Sequence, residues 1–453
     1  MKLAVSPAFA LFFAWVAFAH ATTPGVRHVD PNQPVGRNAY SPFDATQQPT
    51  RPASSLDHDP TRVVIKLKPQ TASKKRTTAS SADALADVPG LGELKPIFAA
   101  SSPSVRVTRS TGTSSATDPA EPDLQLWMQA EIAPGTDVPQ LLESLEQNEA
   151  VDVAEPDFLY RLDAPEAQNT LGSVGTASPR QLSASAAIPD GSADPLMATQ
   201  WHLDAAKVKQ AWSYLQGQGL PAGGSRDVII AVIDSGVDYT HPDLAANMWV
   251  NGREIPGNGI DDDGNGFVDD VHGASLIGSS FDHRGNPMDD NGHGTHVAGI
   301  IAAAANNGIG GVGIAYNSQI MALKAAQYSG VLSSVDIAEA INYAVAQGAD
   351  VINMSFGGPA TSTLIEDALA VAFSQAVLVA SAGNSGRPNE YLPPPAPPPV
   401  PNFPASYIYV LGTMAQQQVP TDKGEWLADF SNWDSVPNSR IEYELMAPGV
   451  AIP

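Results

Sequence analysis

Asp227-Val228-Ile229-Ile230-Ala231-Val232-Ile233-Asp234 is apolar at every position between its two aspartates. A strand with one wet face would alternate polar and apolar residues. An unbroken apolar run predicts burial on both faces, as in a parallel sheet covered on each side by helices. Its closing carboxylate stands at the carboxyl end of a buried strand, where open α/β sheets gather their ligands.

Outward from this strand the pattern repeats. Residues 319–325 read as a strand, and residues 334–347 as a helix with apolar Val335, Ile337, Ala338, Ile341, Ala344 and Val345 at helical spacing. A strand at 351–354, a helix at 363–374 and a strand at 377–380 continue the alternation, and 407–414 and 443–446 add further strands. Repeated βα units of this kind predict an α/β fold with a doubly wound, mostly parallel sheet over residues 194–453.

The N-terminal side has a different texture. Lys2, the apolar run 11–18 and Ala19-His20-Ala21 read as a secretory signal peptide over residues 1–21, too short to anchor in a bilayer. Residues 22–60 carry proline, glycine and small polar residues without period and read as a flexible leader. Residues 61–162 hold strands at 62–68, 124–128 and 151–154, a helix at 138–148 and the acidic tail Glu155-Pro156-Asp157-Phe158-Leu159-Tyr160, a small α+β unit. Residues 163–193 are rich in Ala, Ser and Gly and read as an exposed linker suited to a maturation cut.

The 453 residues contain no cysteine and carry a formal charge of −24. The first excludes disulfides and thiolate metal sites, and the second disfavours nucleic acid as a partner.

Three strings carry chemistry. In Asp289-Asp290-Asn291-Gly292-His293-Gly294-Thr295-His296-Val297-Ala298-Gly299, a glycine-bearing turn delivers His293 into the first turn of a small-residue helix. There the helix dipole disfavours the imidazolium, leaving a neutral imidazole able to act as a base. Asp234 opens Asp-Ser-Gly-Val-Asp, and Asn384 lies in Ser381-Ala382-Gly383-Asn384-Ser385-Gly386 after a buried strand. Taken singly, the aspartate could cap a turn and the asparagine could serve a turn of positive φ.

Together these strings resemble the motifs of the subtilisin-like serine proteases. The resemblance implies a secreted endopeptidase in which Asp234 orients His293, Asn384 supplies an oxyanion donor, and Ser355, Phe356 and Gly357 line an extended peptide substrate. It implies polypeptide substrates, no catalytic cofactor, no nucleic-acid partner and a mature monomer free of the membrane. It also gives residues 61–162 the role of an inhibitory propeptide, with an unrelated α+β unit as the alternative. The family's nucleophile lies in Gly-Thr-Ser-Met-Ala shortly after Met-Ala-Pro-Gly. Here Met446-Ala447-Pro448-Gly449 is present, but residues 1–453 do not contain that serine motif. Gly112-Thr113-Ser114 and Gly412-Thr413-Met414-Ala415 are poor substitutes, the first in an unpatterned interval and the second without a serine before its methionine. This chain as written is therefore expected not to hydrolyse peptides, which leaves a peptide-binding pseudoprotease on the same fold as the alternative.

The acidic loop 261–270 places Asp261, Asp263, Asn265 and Asp269 around Gly266, oxygen donors about a sharp turn. This resembles the first part of an EF-hand loop and suggests a structural Ca²⁺. The position where that loop carries glutamate holds His272, and a solvated acidic turn is the other reading.

Overall fold

The structure, a computed structural model, describes residues 58–69, 85–98, 122–163, 188–189, 193–278, 285–386, 401–418, 426–428, 430–433 and 443–453. The expected signal peptide, nearly all of the leader and linker, and the proline-rich run 393–400 lie outside these residues.

The N-terminal unit consists of β1 (His58–Leu67), β2 (Lys95–Pro96), β3 (Trp127–Glu131), α1 (Val138–Glu146) and β4 (Val151–Leu162). Asp137 caps α1 by accepting from the Gln140 amide at 3.1 Å, and Leu141 and Leu145 turn inward one helical turn apart. They pack on Val63, Ile65 and Leu67 of β1, making a small core between helix and sheet. The opposite face of the sheet, with Val64, Trp127 and Tyr160, belongs to the core of the second unit. Period-two alternation thus serves two cores at once.

The second unit holds α2 (Trp201–Ala205), α3 (Val208–Gly217), β5 (Ile229–Asp234), β6 (Gly273–Ser275), α4 (His293–Ala302), β7 (Gln319–Lys324), β8 (Val331–Ser333) and α5 (Ser334–Ala346). It continues through β9 (Val351–Met354), β10 (Phe356–Gly357), α6 (Thr363–Phe373), β11 (Val377–Ser381), β12 (Leu411–Gln417), β13 (Trp426–Leu427) and β14 (Leu445–Pro448). The sheet runs β13-β12-β11-β9-β5-β7-β6, with β14 also on β12. Its pairings are parallel except β12 with β13.

β5 lies inside the sheet, between β9 and β7. Its Ile230 and Val232 pack with Val297 and Ile301 of α4 and Trp212 of α3. Ala231 and Ile233 face the other way, among residues of α5 and α6. The unbroken apolar run is explained by this two-sided burial, and the fold is the expected doubly wound α/β sheet. No helix among the described residues is long and apolar enough to cross a membrane.

Four local expectations differ from the structure. β1 begins at His58, inside the stretch read as leader. Residues 124–126 form a 3₁₀ turn, because the Asp123 side chain accepts the Gln125 amide and winds the chain before β3 starts. The strand expected at 407–414 starts at Leu411, since the Tyr407 and Val410 amides are spent in turns to Pro404 and Tyr407 carbonyls. The fourth difference bears on function: residues 151–154 and the acidic tail are one continuous strand, β4, which runs on to Leu162.

Candidate active site

Asp234 ends β5 with no exposure to solvent. His293 opens α4, and its Nδ1 lies 2.7 and 2.9 Å from the two Asp234 carboxylate oxygens. With Nδ1–H donated to the carboxylate, Nε2 is the ring nitrogen left to take a proton. The helix can approach the strand this closely because position 294 is glycine: a Cβ there would lie 2.1 Å from the Gly236 carbonyl oxygen. Asp289 fixes the entry to α4 by accepting from the amides of Asn291 and Gly292, both at 2.9 Å, and of Thr295 at 3.0 Å.

The electrostatics of His293 reverse the expectation from the helix dipole. Burial does pull its pKa down, but the carboxylates of Asp234, Asp163 and Asp289 outweigh it, and the net shift is upward. A full negative charge in hydrogen-bond contact is a larger perturbation than the fractional charge at a helix end.

Asn384 follows β11, and its Nδ2 donates to the main-chain carbonyl of Asp163 at 3.0 Å. Asp163 comes from the N-terminal unit, just beyond β4. Leu159, Tyr160 and Arg161 pair antiparallel with Ser333, Leu332 and Val331 of β8. Leu162 and Arg161 pair with Phe356 and Gly357 of β10 on the other side. The Leu162 amide donates to Gly330 O at 2.9 Å and the Asp163 amide to Ser355 O at 3.1 Å. The end of β4 is therefore the middle strand of three, held by main-chain bonds at both edges.

Of the expected lining residues, Ser355 and Phe356 are fully buried, so they meet this strand through backbone. Gly357 is needed because a Cβ would overlap the Asn402 amide at 2.0 Å.

Several contributors were not picked out from sequence. The Ser381 hydroxyl donates to the Asp163 carboxyl. That carboxyl is raised to about 6 by burial, against the lowering effects of Ser381 and His293. Earlier on β4, Glu155 accepts from Ser362 Oγ at 2.7 Å and from the Thr363 and Leu364 amides at 2.9 and 3.2 Å, capping α6. Asp157 does the same for α5 through Ser334 Oγ at 2.8 Å and the Val335 amide at 3.2 Å, and pairs with Arg62 at 2.8 Å. Two acids spaced two apart on a strand share a face, which is the signal available in Glu155-Pro156-Asp157. Both carboxyls sit above their usual range because burial outweighs their hydrogen bonds.

In the acidic loop, oxygens of Glu254, Asp261 and Asp263 lie within 4.8 Å of one another. Asp261 and Asp263 thus lie together, joined by Glu254 from outside the motif. Asn265 instead donates to Asp270 at 2.7 Å, and Asp269 accepts from the Asn258 and Gly259 amides at 3.1 and 2.9 Å.

A profile of the subtilase family matches residues 225–451, half of the chain and the part that contains Asp234, His293 and Asn384. The chain belongs to the subtilase family. Subtilisin-like protease 1 of Plasmodium vivax is 40% identical over 158 residues, 35% of this chain and 24% of that protein. The thermophilic serine proteinase of Bacillus sp. (strain AK1) is 38% identical over 231 residues, 51% of this chain and 45% of its own. The minor extracellular protease Epr of Bacillus subtilis (strain 168) is 33% identical over 254 residues, 56% and 30% of the two chains. This subtilase chain therefore aligns with less than half the length of each of these relatives. Among solved structures, fervidolysin from Fervidobacterium pennivorans superposes with a TM-score of 0.56 at 20% identity, over 88% of this chain and 48% of that one. That likeness concerns the fold.

Proposed function

We propose that this subtilase is the precursor of a secreted serine endopeptidase, held in a self-inhibited state by residues 58–163. The observation that carries the reading is the hydrogen bond from Asn384 Nδ2 to the Asp163 carbonyl, with the His293–Asp234 pair beside it. A carbonyl 3.0 Å from an amide donor is in the position from which an oxyanion would develop during acyl transfer. In subtilisin, a member of this family, loss of the equivalent donor lowers turnover by about 10²–10³. Asp234 then holds the imidazole in one tautomer and stabilises the imidazolium formed when Nε2 takes the nucleophile's proton.

In this reading β4 lies as a substrate lies, and the bond after Asp163 is the maturation bond. Binding along the cleft is largely main-chain, because β8 and β10 recognise the strand through backbone pairs. The serine that completes the triad has no counterpart motif in residues 1–453, so this polypeptide by itself binds a peptide without cleaving it. Export is proposed from residues 1–21 together with the extracellular relative Epr. A structural Ca²⁺ is proposed at Glu254, Asp261 and Asp263, where three carboxylates offer the hard oxygen donors such an ion prefers.

The test has two arms. Residues 22–453 incubated with casein and a fluorophosphonate probe should give neither cleavage nor labelling; covalent labelling of any serine would show that a nucleophile has been overlooked. A longer product that does carry the serine motif should mature with Ala164 as its first residue. A mature N-terminus near residue 190 would contradict the placement of the maturation bond.

A further inference from the structure

The side chain of Asp163 fills a subsite of its own, and the surroundings of that subsite are built rather than incidental. Ser381, at the end of β11, is 1% exposed, and its hydroxyl points at the Asp163 carboxyl. The segment behind it is fixed from the far side by two buried asparagines. Asn402 Nδ2 donates to the Ser381 carbonyl at 3.0 Å, and Asn432 Nδ2 donates to the Ala382 carbonyl at 2.8 Å. The Asn432 main-chain N–H also donates to the Gly383 carbonyl at 2.8 Å, and a Cβ at Gly383 would meet Asn432 Nδ2 at 2.6 Å. The backbone that carries the hydroxyl is thus held by the second unit and not by the strand lying in the cleft.

We propose that this subsite selects a carboxylic acid side chain, so that the protease cuts after acidic residues, with Ser381 as the residue that makes the choice. The proposal rests on the reading of residues 58–163 as a strand bound in the manner of a substrate. An apolar side chain at 163 would leave a buried hydroxyl facing hydrocarbon, a mismatch worth about tenfold or more in occupancy. A basic side chain would meet the Ser381 hydroxyl beside the His293 imidazole, whose electrostatic contact with Asp163 favours a negative partner. The raised pKa of Asp163, about 6, fits a carboxyl held in a largely dry pocket, where burial outweighs the pull of the Ser381 hydroxyl toward the anion.

Amide hydrogen exchange on the full chain reads occupancy of the cleft directly, through peptides that contain the bonded amides of Leu162 and Asp163. In the unaltered chain these amides should be protected. At about pH 4, where the docked carboxyl is protonated, and after correction for intrinsic rates, Asp163→Leu should speed their exchange by about tenfold or more, while Asp163→Asn, which keeps an acceptor, should stay near the parent. Ser381→Ala should speed exchange in the parent yet add little to Asp163→Leu, because the two side chains act on each other. Urea midpoints measured alongside would separate loss of the contact from unfolding of the second unit. Equal or slower exchange in Asp163→Leu, with the parent protected, would overturn the acid selection while leaving the bound-strand reading intact. Unprotected amides in the parent itself would overturn both.

Discussion

At His293, burial and charge pull in opposite directions, and the charges prevail. Replacing Asp234 by Asn should therefore lower the His293 pKa, which NMR titration of the imidazole would follow. The sign for stability follows from linkage: a histidine whose folded pKa is raised contributes stability in full below its unfolded pKa of about 6.5, and loses it as pH rises through the folded value. The gap in stability between the parent and Asp234→Asn should accordingly be wider at acid pH than at alkaline pH, and a gap that widens with pH would refute this assignment. Gly294 offers a steric test. A methyl group there overlaps the Gly236 carbonyl, so Gly294→Ala should destabilise by about 1–3 kcal/mol in urea unfolding, despite the better helix propensity of alanine. At this scale the strings around Asp234, His293 and Asn384 could be read because each is local, a turn and its flanking residues. Asp163 could not be placed: its contacts reach Ser381 and Asn384, 218 and 221 residues away.

At the scale of elements, β4 links the two units. Its Glu155 and Asp157 supply negative charge to the N-termini of α6 and α5, where unpaired amides and the helix dipole favour an acceptor. Glu155→Ala and Asp157→Ala should each cost about 1–3 kcal/mol of unfolding stability. Asp157→Ala should be the more damaging of the two, because it also leaves the Arg62 guanidinium without its partner carboxylate on β4. The end of β4 should respond to pH through Asp163. Its carboxyl ionises near 3.8 when free and near 6 in the cleft, so docking binds a proton. Occupancy should be highest below about pH 4 and should weaken as pH rises toward and through 6. Exchange of the Leu162 and Asp163 amides, compared at matched intrinsic rates across that interval, measures it. Considered with its neighbours alone, Glu155-Pro156-Asp157 looks like a polar break that ends the strand at 154. The structure continues it because both carboxylates find partners on distant helices, which no local pattern records.

At the scale of the molecule, the doubly wound sheet was legible from sequence because β5 is buried on both faces, and only a parallel sheet between helix layers makes such a run necessary. The antiparallel sheet of the N-terminal unit was read only in pieces, since β1, β3 and β4 pair across long intervals and β2 is two residues long. If Glu254, Asp261 and Asp263 hold Ca²⁺, chelation should lower the melting temperature of the parent and leave Asp261→Asn/Asp263→Asn little changed. An unchanged parent would remove the ion from the account.

The end of β4 occupies the cleft between β8 and β10. The chain has no cysteine, so an introduced pair can report on it without interference. Arg161 faces Val331 across the β4–β8 pairing, next to the bonded pair of Leu162 and Gly330, which makes it a non-hydrogen-bonded pair with close Cβ atoms. Arg161→Cys/Val331→Cys should form an intramolecular disulfide readily under mild oxidation, whereas Arg161→Cys paired with exposed Val250→Cys should not. A 161–331 pair that stays reduced, or that crosslinks no faster than the 161–250 control, would contradict the claim.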